Sequence, residues 1–349
     1  MASEIGTVTA RQPMHSGDLH KRSIVFNAMD PTMLAHCDSE YVQKLLVGGV
    51  TAIVQAVSIS DASFSEAARS IVQWRRKYRE LGTTVFQARS LEDVKLAKEA
   101  GRVAAFVAFE DSSALDGQLE RLELLRDLGL RFLGLTYQNR NLAADGCGEE
   151  SDAGLSRFGR SLVRECNDMG IVIDLSHTGR RSSLETVEAS QHPVVITHGG
   201  LRHFVDIPRN KSDDELKAVA QKGGVIGIAS KSGYIKPNGQ NDGTSVRDYI
   251  ACLSYLIDLV GVEGVIIGTD VGDERRYTRA VMAHTRKLHP ELPIFGDALD
   301  PNLIHPAGLE TPAGLPLVTE GLVGLGLSAA EIQGILGGNL MRVLQQIWK

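Results

Sequence analysis

The amino-acid sequence predicts an α/β protein, a TIM-like (β/α)8 barrel with a C-terminal helical extension. Short apolar segments rich in β-branched residues alternate with longer amphipathic segments, which is the order of strands and helices in such a barrel. Most of the short segments are continuously apolar, as is typical of parallel strands buried on both faces. The composition agrees, because 43% of the 349 residues are hydrophobic, 5% are aromatic and 36 are glycine. We therefore expect a polar lead over residues 1–22 and a single barrel domain over residues 23–349.

Nine segments fit the strand pattern, one more than an eight-stranded barrel needs. They share an apolar, β-branched character and cover residues 23–29, 51–57, 84–87, 103–109, 131–136, 171–176, 193–197, 224–229 and 264–268. Segment 84–87 is short, and we predict that it lies outside the ring of eight strands.

Helical signals lie between the strand segments. Apolar residues recur with a period of 3.6 over residues 155–169, and Gly170 ends that predicted helix. Ser212, followed three residues later by Glu215, predicts a capping box at the start of another helix. Residues 328–348 predict a long closing helix, which forms the C-terminal extension.

The segment 273–316 breaks the alternation of strands and helices. It contains six prolines, which cannot continue a helix or a central strand. We therefore expect a long loop near the mouth of the site rather than a separate domain.

Charge and cysteine content narrow the class of protein. The 37 Lys and Arg residues against 43 Asp and Glu residues give a net charge of −6, which argues against a nucleic-acid scaffold. The longest apolar stretch, residues 47–59, is too short to cross a bilayer, and residues 1–22 lack the apolar core of a secretory signal. The four cysteines are scattered without a CxxC pair, so we expect reduced thiols in a cytoplasmic protein rather than a disulfide.

Ionisable residues fall at or just past the C-terminal ends of five predicted strands, where the apolar runs would otherwise continue. They are Asp30, Glu110, His177, His198 and Asp270. In a barrel the C-terminal ends of the strands meet at one face, and this face carries the chemistry. Residues that are far apart in the sequence can therefore share one site.

The residue types on this rim are those of a metal site. Two histidines and a glutamate are a suitable ligand set for zinc, and a further aspartate can orient or deprotonate a metal-bound water. Each residue alone has an ordinary structural explanation, since a strand-end histidine is more often a hydrogen-bonded core residue and a strand-end aspartate often caps a helix. Five such residues on one predicted rim favour the metal site.

Long segments around these residues carry a family resemblance. They share the order of helices, strands and polar ends, and are GLSRFGRSLVRECNDMGIVIDLSHTG (154–179), PVVITHGGLRHF, PRNKSDDELKAVAQKGGVIGI, GVIIGTD and GLPLVTEGLVGLGLSAAEIQGILGGNLMRVL. Over about residues 24–344 the sequence resembles the membrane dipeptidase (renal dipeptidase-like) family, peptidase family M19 of the amidohydrolase superfamily.

The resemblance implies a role for each matching residue. Glu110 resembles the glutamate that bridges two zinc ions, and His177 and His198 resemble the two histidines of the second metal. Asp270 resembles the acid/base aspartate near the nucleophilic water. Arg209 resembles the arginine that holds the substrate carboxylate, a role that suits its two-pronged guanidinium. Taken alone, Arg209 would be interpreted as a surface residue beside a helix start.

The sequence departs from the family pattern at two positions. Where the family has a His-x-Asp pair on the first strand, this chain has Ala28 and Asp30, and Ala28 cannot ligate a metal. Where the family has a histidine after Leu-Thr, this chain has Tyr137, whose hydroxyl can donate a hydrogen bond to the reacting carbonyl. His36 lies eight residues beyond Ala28 and is assigned to the loop or helix start after the first strand. Because Ala28 stands where the family has a metal-binding histidine, we expect one zinc ion rather than two.

The predicted function is metal-dependent hydrolysis of a dipeptide or a related small amide. Glu110, His177 and His198 are expected to hold one Zn²⁺ with water in the open position, while Asp270 takes the proton during attack and returns it to the leaving group. Asp30 is expected to support a weak second ion or to hydrogen-bond the water. We expect a small, carboxylate-bearing substrate, no nucleic-acid or membrane partner and, from the resemblance, a homodimer.

Three alternatives stay open at this point. The same residues are compatible with hydrolysis of an N-acyl amino acid or a lactone at a single metal. The change at Ala28 and the change at Tyr137 also fit a barrel that has lost catalysis and binds a small carboxylated ligand. A Schiff-base barrel that uses Lys231, just past GVIGIAS, has less support because nothing else in the sequence points to an imine.

Overall fold

Nine parallel strands form one sheet in the computed structural model, which describes residues 15–58, 60, 62–290 and 292–348. In chain order, β1 to β9 are Val25–Asp30, Val50–Ser58, Val85–Ala88, Val103–Phe109, Leu130–Gly134, Val172–Asp174, Val195–Gly199, Val225–Ile228 and Val265–Ile267. Each strand overlaps a predicted segment. With its flanking helices the sheet forms a nearly closed, TIM-like (β/α)8 barrel, so the predicted fold class is confirmed.

Eight strands follow one another around the barrel in the hydrogen-bonded order β1-β2-β4-β5-β6-β7-β8-β9. The remaining strand, β3, pairs with residues 103–106 of β4, whereas β5 pairs with residues 107–109 of the same strand. Because β2 occupies the other edge of β4, β3 and β5 divide one edge between them. The prediction that segment 84–87 lies outside the ring is confirmed.

The two ends of this strand order, β1 and β9, are joined through a side chain. Oδ1 of Asn27 in β1 accepts hydrogen bonds from the backbone N–H of Thr269 at 2.9 Å and from its hydroxyl at 3.2 Å. The Asn27 amide nitrogen donates to the carbonyl of Met29 at 2.8 Å, so the fully buried side chain is satisfied. This contact brings the C-terminal ends of β1 and β9 side by side.

Fifteen α-helices lie in the described part of the chain. In chain order, α1 to α15 are Ser16–Arg22, Ser39–Val47, Phe64–Glu80, Leu91–Ala100, Glu120–Leu128, Arg157–Met169, Arg180–Ala189, Asp213–Gln221, Ser232–Ile235, Gly239–Asp242, Val246–Val260, Arg279–Leu288, Leu315–Gly324, Ala329–Gln333 and Asn339–Ile347. Residues 1–14 of the predicted polar lead lie outside the described residues, and its last part forms α1. None of the described helices combines the length and apolar content needed to cross a membrane.

The predicted helix boundaries follow from their local chemistry. The Ser156 hydroxyl accepts the Gly159 N–H at 2.9 Å where α6 begins, and the helix ends at Gly170, whose φ of +66° favours glycine. Ser212 and Glu215 form the predicted capping box of α8, with the Ser212 N–H donating to the glutamate at 3.0 Å. The closing helix is also confirmed, because a π-helical turn connects α14 to α15.

Residues 273–316 are not a loop throughout, so that part of the prediction was wrong. They contain α12, which forms because the prolines of this segment begin only at Pro290 and because the Thr278 side chain caps the first helical turn. The segment nevertheless reaches the rim of the barrel, where the ring of His289 lies 5.4 Å from the ring of Tyr137, centroid to centroid.

The interior of the barrel is filled with side chains. The rings of Phe26 and Phe106 stack at 5.5 Å, and Phe132 meets Phe106 edge to face at 6.4 Å. The apolar side of α15 covers this layer, and Trp348, which follows α15, packs against it with its ring 5.2 Å from the ring of Phe106. A filled interior leaves the C-terminal ends of the strands as the place for chemistry.

Candidate metal centre

Three of the predicted rim residues meet at one point. Glu110 follows β4 directly, His177 lies three residues after β6, and His198 lies within β7. Because β4, β5, β6 and β7 are consecutive around the barrel, their C-terminal ends bring these side chains together. All three are buried, with 7%, 6% and 1% of their surface exposed. We call Glu110, His177 and His198 the triad.

The triad has the spacing of a tetrahedral metal site. Nε2 of His177 and Nε2 of His198 are 2.9 Å apart, and they lie 3.2 and 3.4 Å from Oε2 of Glu110. Two ligand atoms on a tetrahedral zinc ion are separated by about 3.3 Å, given bonds of about 2.0–2.2 Å. The residues therefore fit a divalent ion, and within the described residues they are a group able to hold one.

His198 is held by a hydroxyl and a carboxylate behind it. Its Nδ1 lies 2.7 Å from the Thr197 hydroxyl, which donates to the Asp174 carboxylate. The other oxygen of Asp174 accepts backbone N–H groups of Thr197 and Ser176, each at 3.0 Å. Such a chain orients an imidazole so that Nε2 faces outward to a metal.

His177 is held by an amide and an aromatic ring. The side-chain nitrogen of Gln138 lies 2.7 Å from Nδ1 of His177, and the Cys147 thiol donates to the Gln138 oxygen at 2.9 Å. The Tyr137 ring stacks on the His177 ring at 4.2 Å. These contacts leave Nε2 of His177 directed at Glu110 and His198.

The protonation state of His177 suits ligation. Burial, followed by the charge of Arg209 and the nearby His198, lowers the pKa of His177 well below its usual range. The imidazole is therefore neutral at pH 7, which is the form that binds metals.

Arg209 is buried beside the triad, where its guanidinium joins the two histidine-bearing segments. Nη1 donates to the carbonyl of Ser176 at 2.7 Å, and Nη2 donates to the carbonyl of His198 at 2.8 Å. Nη2 also lies 3.3 Å from Nε2 of His177, while Nε has no hydrogen-bond partner among the described residues. The sequence assigned the Arg209 guanidinium to a substrate carboxylate, but its two terminal nitrogens donate to backbone carbonyls.

Tyr137 covers the triad from one side. Its backbone N–H donates to Asp111 at 2.8 Å, and its ring lies between the rings of His177 and His289. Burial, followed by the charge of Glu110, raises the pKa of Tyr137 well above its usual range. The phenol therefore stays protonated and can act as a hydrogen-bond donor.

A second group of charges lies at the ends of β8 and β9. Nζ of Lys231 is 2.7 Å from Oε1 of Glu274 and 3.5 Å from Oδ2 of Asp270, and Nε2 of His305 is 3.0 Å from the other oxygen of Glu274. We call Lys231, Asp270, Glu274 and His305 the lysine cluster. Asp270 has a φ of +53°, a left-handed conformation that is strained for a residue other than glycine.

Asp30 lies outside the triad. Its carboxylate accepts the Tyr41 hydroxyl at 2.7 Å and the Thr32 N–H at 2.9 Å. Burial raises the pKa of Asp30 to about 6, although these hydrogen bonds oppose the rise. Both carboxylate oxygens are thus occupied by groups of the protein itself.

Three other residues named from the sequence also lie apart from the triad. Ala28 is fully buried in the apolar layer inside the barrel. His36 packs against the ring of Tyr277 at 5.4 Å. Burial lowers the pKa of Lys231, but Asp270 and Glu274 together raise it above its usual value, so the amine stays protonated and unsuited to imine formation.

Several residues of the centre were not found from the sequence. Asp174 carried a signal, because it is an acidic residue in an otherwise apolar strand segment. Gln138 and Thr197 are direct neighbours of Tyr137 and His198, but their types are common in any protein. His305 lies in the proline-rich segment, which has no period that would indicate its position.

Comparison with known proteins identifies a family and a fold for the chain. A family profile described as membrane dipeptidase (peptidase family M19) matches residues 19–284. Dipeptidase 3 of Rattus norvegicus is 27% identical over 252 residues, which cover 70% of this chain and 45% of the rat protein. The matched region thus spans less than half of that relative.

Solved structures resemble the whole barrel. An amidohydrolase from Pseudomonas aeruginosa superposes with a TM-score of 0.85 and 29% identity, covering 96% of this chain and 99% of that one. The probable dipeptidase PvdM from the same organism superposes with a TM-score of 0.76 at 20% identity, covering 95% and 97%, which supports the fold. From the profile match over most of its length, the chain belongs to the membrane dipeptidase family, peptidase family M19.

Proposed function

We propose that this protein is a metal-dependent hydrolase that cleaves a dipeptide or a related small amide at the triad. The observation that carries the proposal is the convergence of one carboxylate oxygen and two imidazole nitrogens at separations of 2.9 to 3.4 Å. Three protein ligands with an open fourth position are the usual arrangement of catalytic zinc. We therefore assign Zn²⁺ to Glu110, His177 and His198.

A bound divalent ion supplies Lewis-acid polarisation and lowers the pKa of water toward neutrality. The side chains around it supply the proton transfers and the orientation of the substrate. Asp270 accepts a proton from the attacking water and returns it to the leaving amine. Tyr137 donates a hydrogen bond to the carbonyl oxygen as negative charge develops there, a role that its protonated phenol supports.

Arg209 supplies positive charge for a substrate carboxylate. Its two terminal nitrogens are engaged with backbone carbonyls, so the available donor is the buried Nε. Arg209 would therefore give the substrate carboxylate a single hydrogen bond from Nε and a fixed positive charge, rather than a bidentate contact. The names of its relatives, dipeptidases among them, support an amide substrate with a free carboxylate.

A second candidate is hydrolysis of an N-acyl amino acid or a lactone at the same single metal. Tyr137 at the triad is compatible with it, because a phenol donates a hydrogen bond to an ester or amide carbonyl alike. A panel of dipeptides, N-acyl amino acids and lactones separates the two candidates. Binding without turnover would instead indicate a barrel that holds small carboxylated ligands.

Metal content and turnover measured together test the proposal. Purified wild-type protein equilibrated with Zn²⁺ is expected to hold about one ion per chain by plasma mass spectrometry. Glu110→Ala and His198→Ala are expected to lose the ion and all turnover of the panel. His203→Ala is the matched control, because this exposed histidine stacks on Tyr255 at 4.0 Å, away from the triad. Zinc content that is absent in the wild type, or that survives His198→Ala, overturns the proposal.

A further inference from the structure

The rim beside the triad carries its own positive charge. Lys231 lies three residues after β8, Asp270 lies three residues after β9, and Glu274 follows in the next turn. Asp30 ends β1, which neighbours β9 through the Asn27 contact. Three carboxylates and one ammonium are therefore gathered at three consecutive strand ends.

The ammonium is fixed in position by a closed set of contacts. Lys231 contacts Glu274 at 2.7 Å, and Glu274 is contacted in turn by His305 at 3.0 Å. Nδ1 of His305 lies 2.9 Å from the backbone carbonyl of Ser230, the residue before Lys231. These contacts form a closed loop from Lys231 through Glu274 and His305 back to Ser230. The Gly272 N–H donates a further hydrogen bond to Glu274 at 3.2 Å. The Lys231 and Glu274 side chains are only 6% and 4% exposed, so water does little to screen these charges.

We propose that the Lys231 ammonium is a built-in cation that takes the place of a second divalent ion between Asp270 and Glu274. The centre then operates with the single ion of the triad. This inference rests on the proposed function, because it assumes that the triad binds the first ion.

Carboxylate chemistry supports this assignment. Asp270 and Glu274 both follow β9, with side chains 15% and 4% exposed, and their carboxylates are hard oxygen ligands of the kind that divalent ions bind. The Lys231 ammonium between them already balances part of their negative charge. Because this ammonium is covalently attached to the chain, it would repel an entering divalent ion. Without it, these two carboxylates would lack their cation, and a divalent ion is the available replacement.

The position of Asp270 follows from the same contact. Its backbone is held in a left-handed conformation, and the Lys231 ammonium at 3.5 Å is the positive charge beside its carboxylate. Lys231 is therefore a positioning residue for the carboxylate to which we assign proton transfer. It fixes this carboxylate by charge without touching the triad.

The number of zinc ions bound per chain tests the inference. Full-length wild type, Lys231→Met and Lys231→Arg are dialysed against excess Zn²⁺ and measured by plasma mass spectrometry, with isothermal titration to separate sites. We expect one ion in the wild type and in Lys231→Arg, which keeps the charge. We expect two ions in Lys231→Met, and one again in Lys231→Met with Glu274→Gln, where a ligand of the new site is lost.

Lys44→Met is the matched control, because Lys44 forms an ion pair with Asp273 at 2.5 Å in the same turn but does not contact Asp270. The Lys44→Met variant is expected to bind one zinc ion per chain, like the wild type. A wild type that binds two ions, or a Lys231→Met variant that binds one, overturns the inference. If Lys231→Met does not fold, Lys231→Gln replaces it, and the two-ion result is required of that variant.

Failure of the proposed function gives a different pattern. Adding His198→Ala to each variant removes the triad ion, so the expected counts fall to zero in the wild type and to one in Lys231→Met. A wild type without any ion, or with an ion that survives His198→Ala, contradicts the triad assignment and not the part played by Lys231.

Discussion

Two regions of one rim balance their buried charge in different ways. In the triad, one carboxylate faces two imidazoles, and burial keeps His177 neutral. In the lysine cluster, two carboxylates contact an ammonium that the chain itself provides. The triad thus brings three ligand atoms to a common point, whereas the lysine cluster already contains its compensating cation.

The difference shows what each region depends on. Buried charge is costly unless it is paired, and the pair can come from the chain or from a bound ion. The stability of the lysine cluster should therefore depend on its own side chains and not on metal. The triad should respond to metal and to the groups that orient its imidazoles.

The largest effect is expected from Glu274→Gln. This change removes one partner of a buried ion pair and should lower the free energy of unfolding by about 3–5 kcal/mol. Urea unfolding measures it, and zinc content should stay at the wild-type value because the triad is untouched. Glu40→Gln is the control, since Glu40 pairs with Lys44 at the surface and should leave the free energy of unfolding close to the wild-type value. A loss of zinc in Glu274→Gln would show that the two regions are not separate.

Metal removal should have the next largest effect, and only through the triad. Zinc at a thousand times its dissociation constant should raise the free energy of unfolding by about 4 kcal/mol. Thermal unfolding with and without a chelator measures the shift, which should vanish in His198→Ala and persist in Asp30→Asn. A shift of equal size in His198→Ala would place the responsible ion elsewhere.

Asp30→Asn should stabilise the metal-free protein at high pH. Because the pKa of Asp30 is raised to about 6, the folded state binds this proton more tightly than the unfolded state. The resulting stability is fully present below about pH 4 and is lost as the pH rises through 6, a loss of up to about 3 kcal/mol. The advantage of the variant over the wild type should therefore grow between pH 4 and pH 8 in urea unfolding.

Asp38→Asn provides a control of opposite sign. The hydrogen bond from Arg276 lowers the pKa of Asp38 to about 2, so this carboxylate contributes stability above about pH 4 that is lost as the pH falls toward 2. The Asp38→Asn variant should lose stability relative to the wild type as the pH rises. A pH-independent difference for Asp30→Asn would contradict the burial argument.

The smallest effect is expected from Thr197→Val, which keeps the shape of the side chain and removes the hydroxyl beside His198. Loss of the group that orients this imidazole should weaken zinc binding by about 10–100-fold. Competition with a chromophoric chelator measures the dissociation constant. Thr197→Ser, which keeps a hydroxyl, should remain close to the wild type, and equal affinity in both variants would remove Thr197 from the centre.

The barrel and the triad could be predicted from the sequence because their signals are local. A continuous apolar run that ends in a histidine or an acid marks both a buried parallel strand and its functional end, as at Glu110 and His198. The family resemblance added Arg209, which no local pattern indicated.

The remaining features depend on contacts between distant parts of the chain. Lys231 and Glu274 are 43 residues apart, and neither lies in a motif that indicates the other. The engagement of Arg209 with two backbone carbonyls is also invisible in a sequence, because a carbonyl has no residue type. The helix α12 was missed because the prolines of its segment were given more weight than the ten residues that precede them.

The Asn27 side chain links β1 to the end of β9, the two strands between which the barrel closes. Elsewhere in the barrel, rows of backbone hydrogen bonds set the distance between neighbouring strands, but in the described part of the chain β1 and β9 are the two ends of that order. One amide therefore helps to set the distance between the strand ends that carry Asp30 and Asp270. The spacing of Asp30 and Asp270 therefore depends in part on a side chain that belongs neither to the triad nor to the lysine cluster.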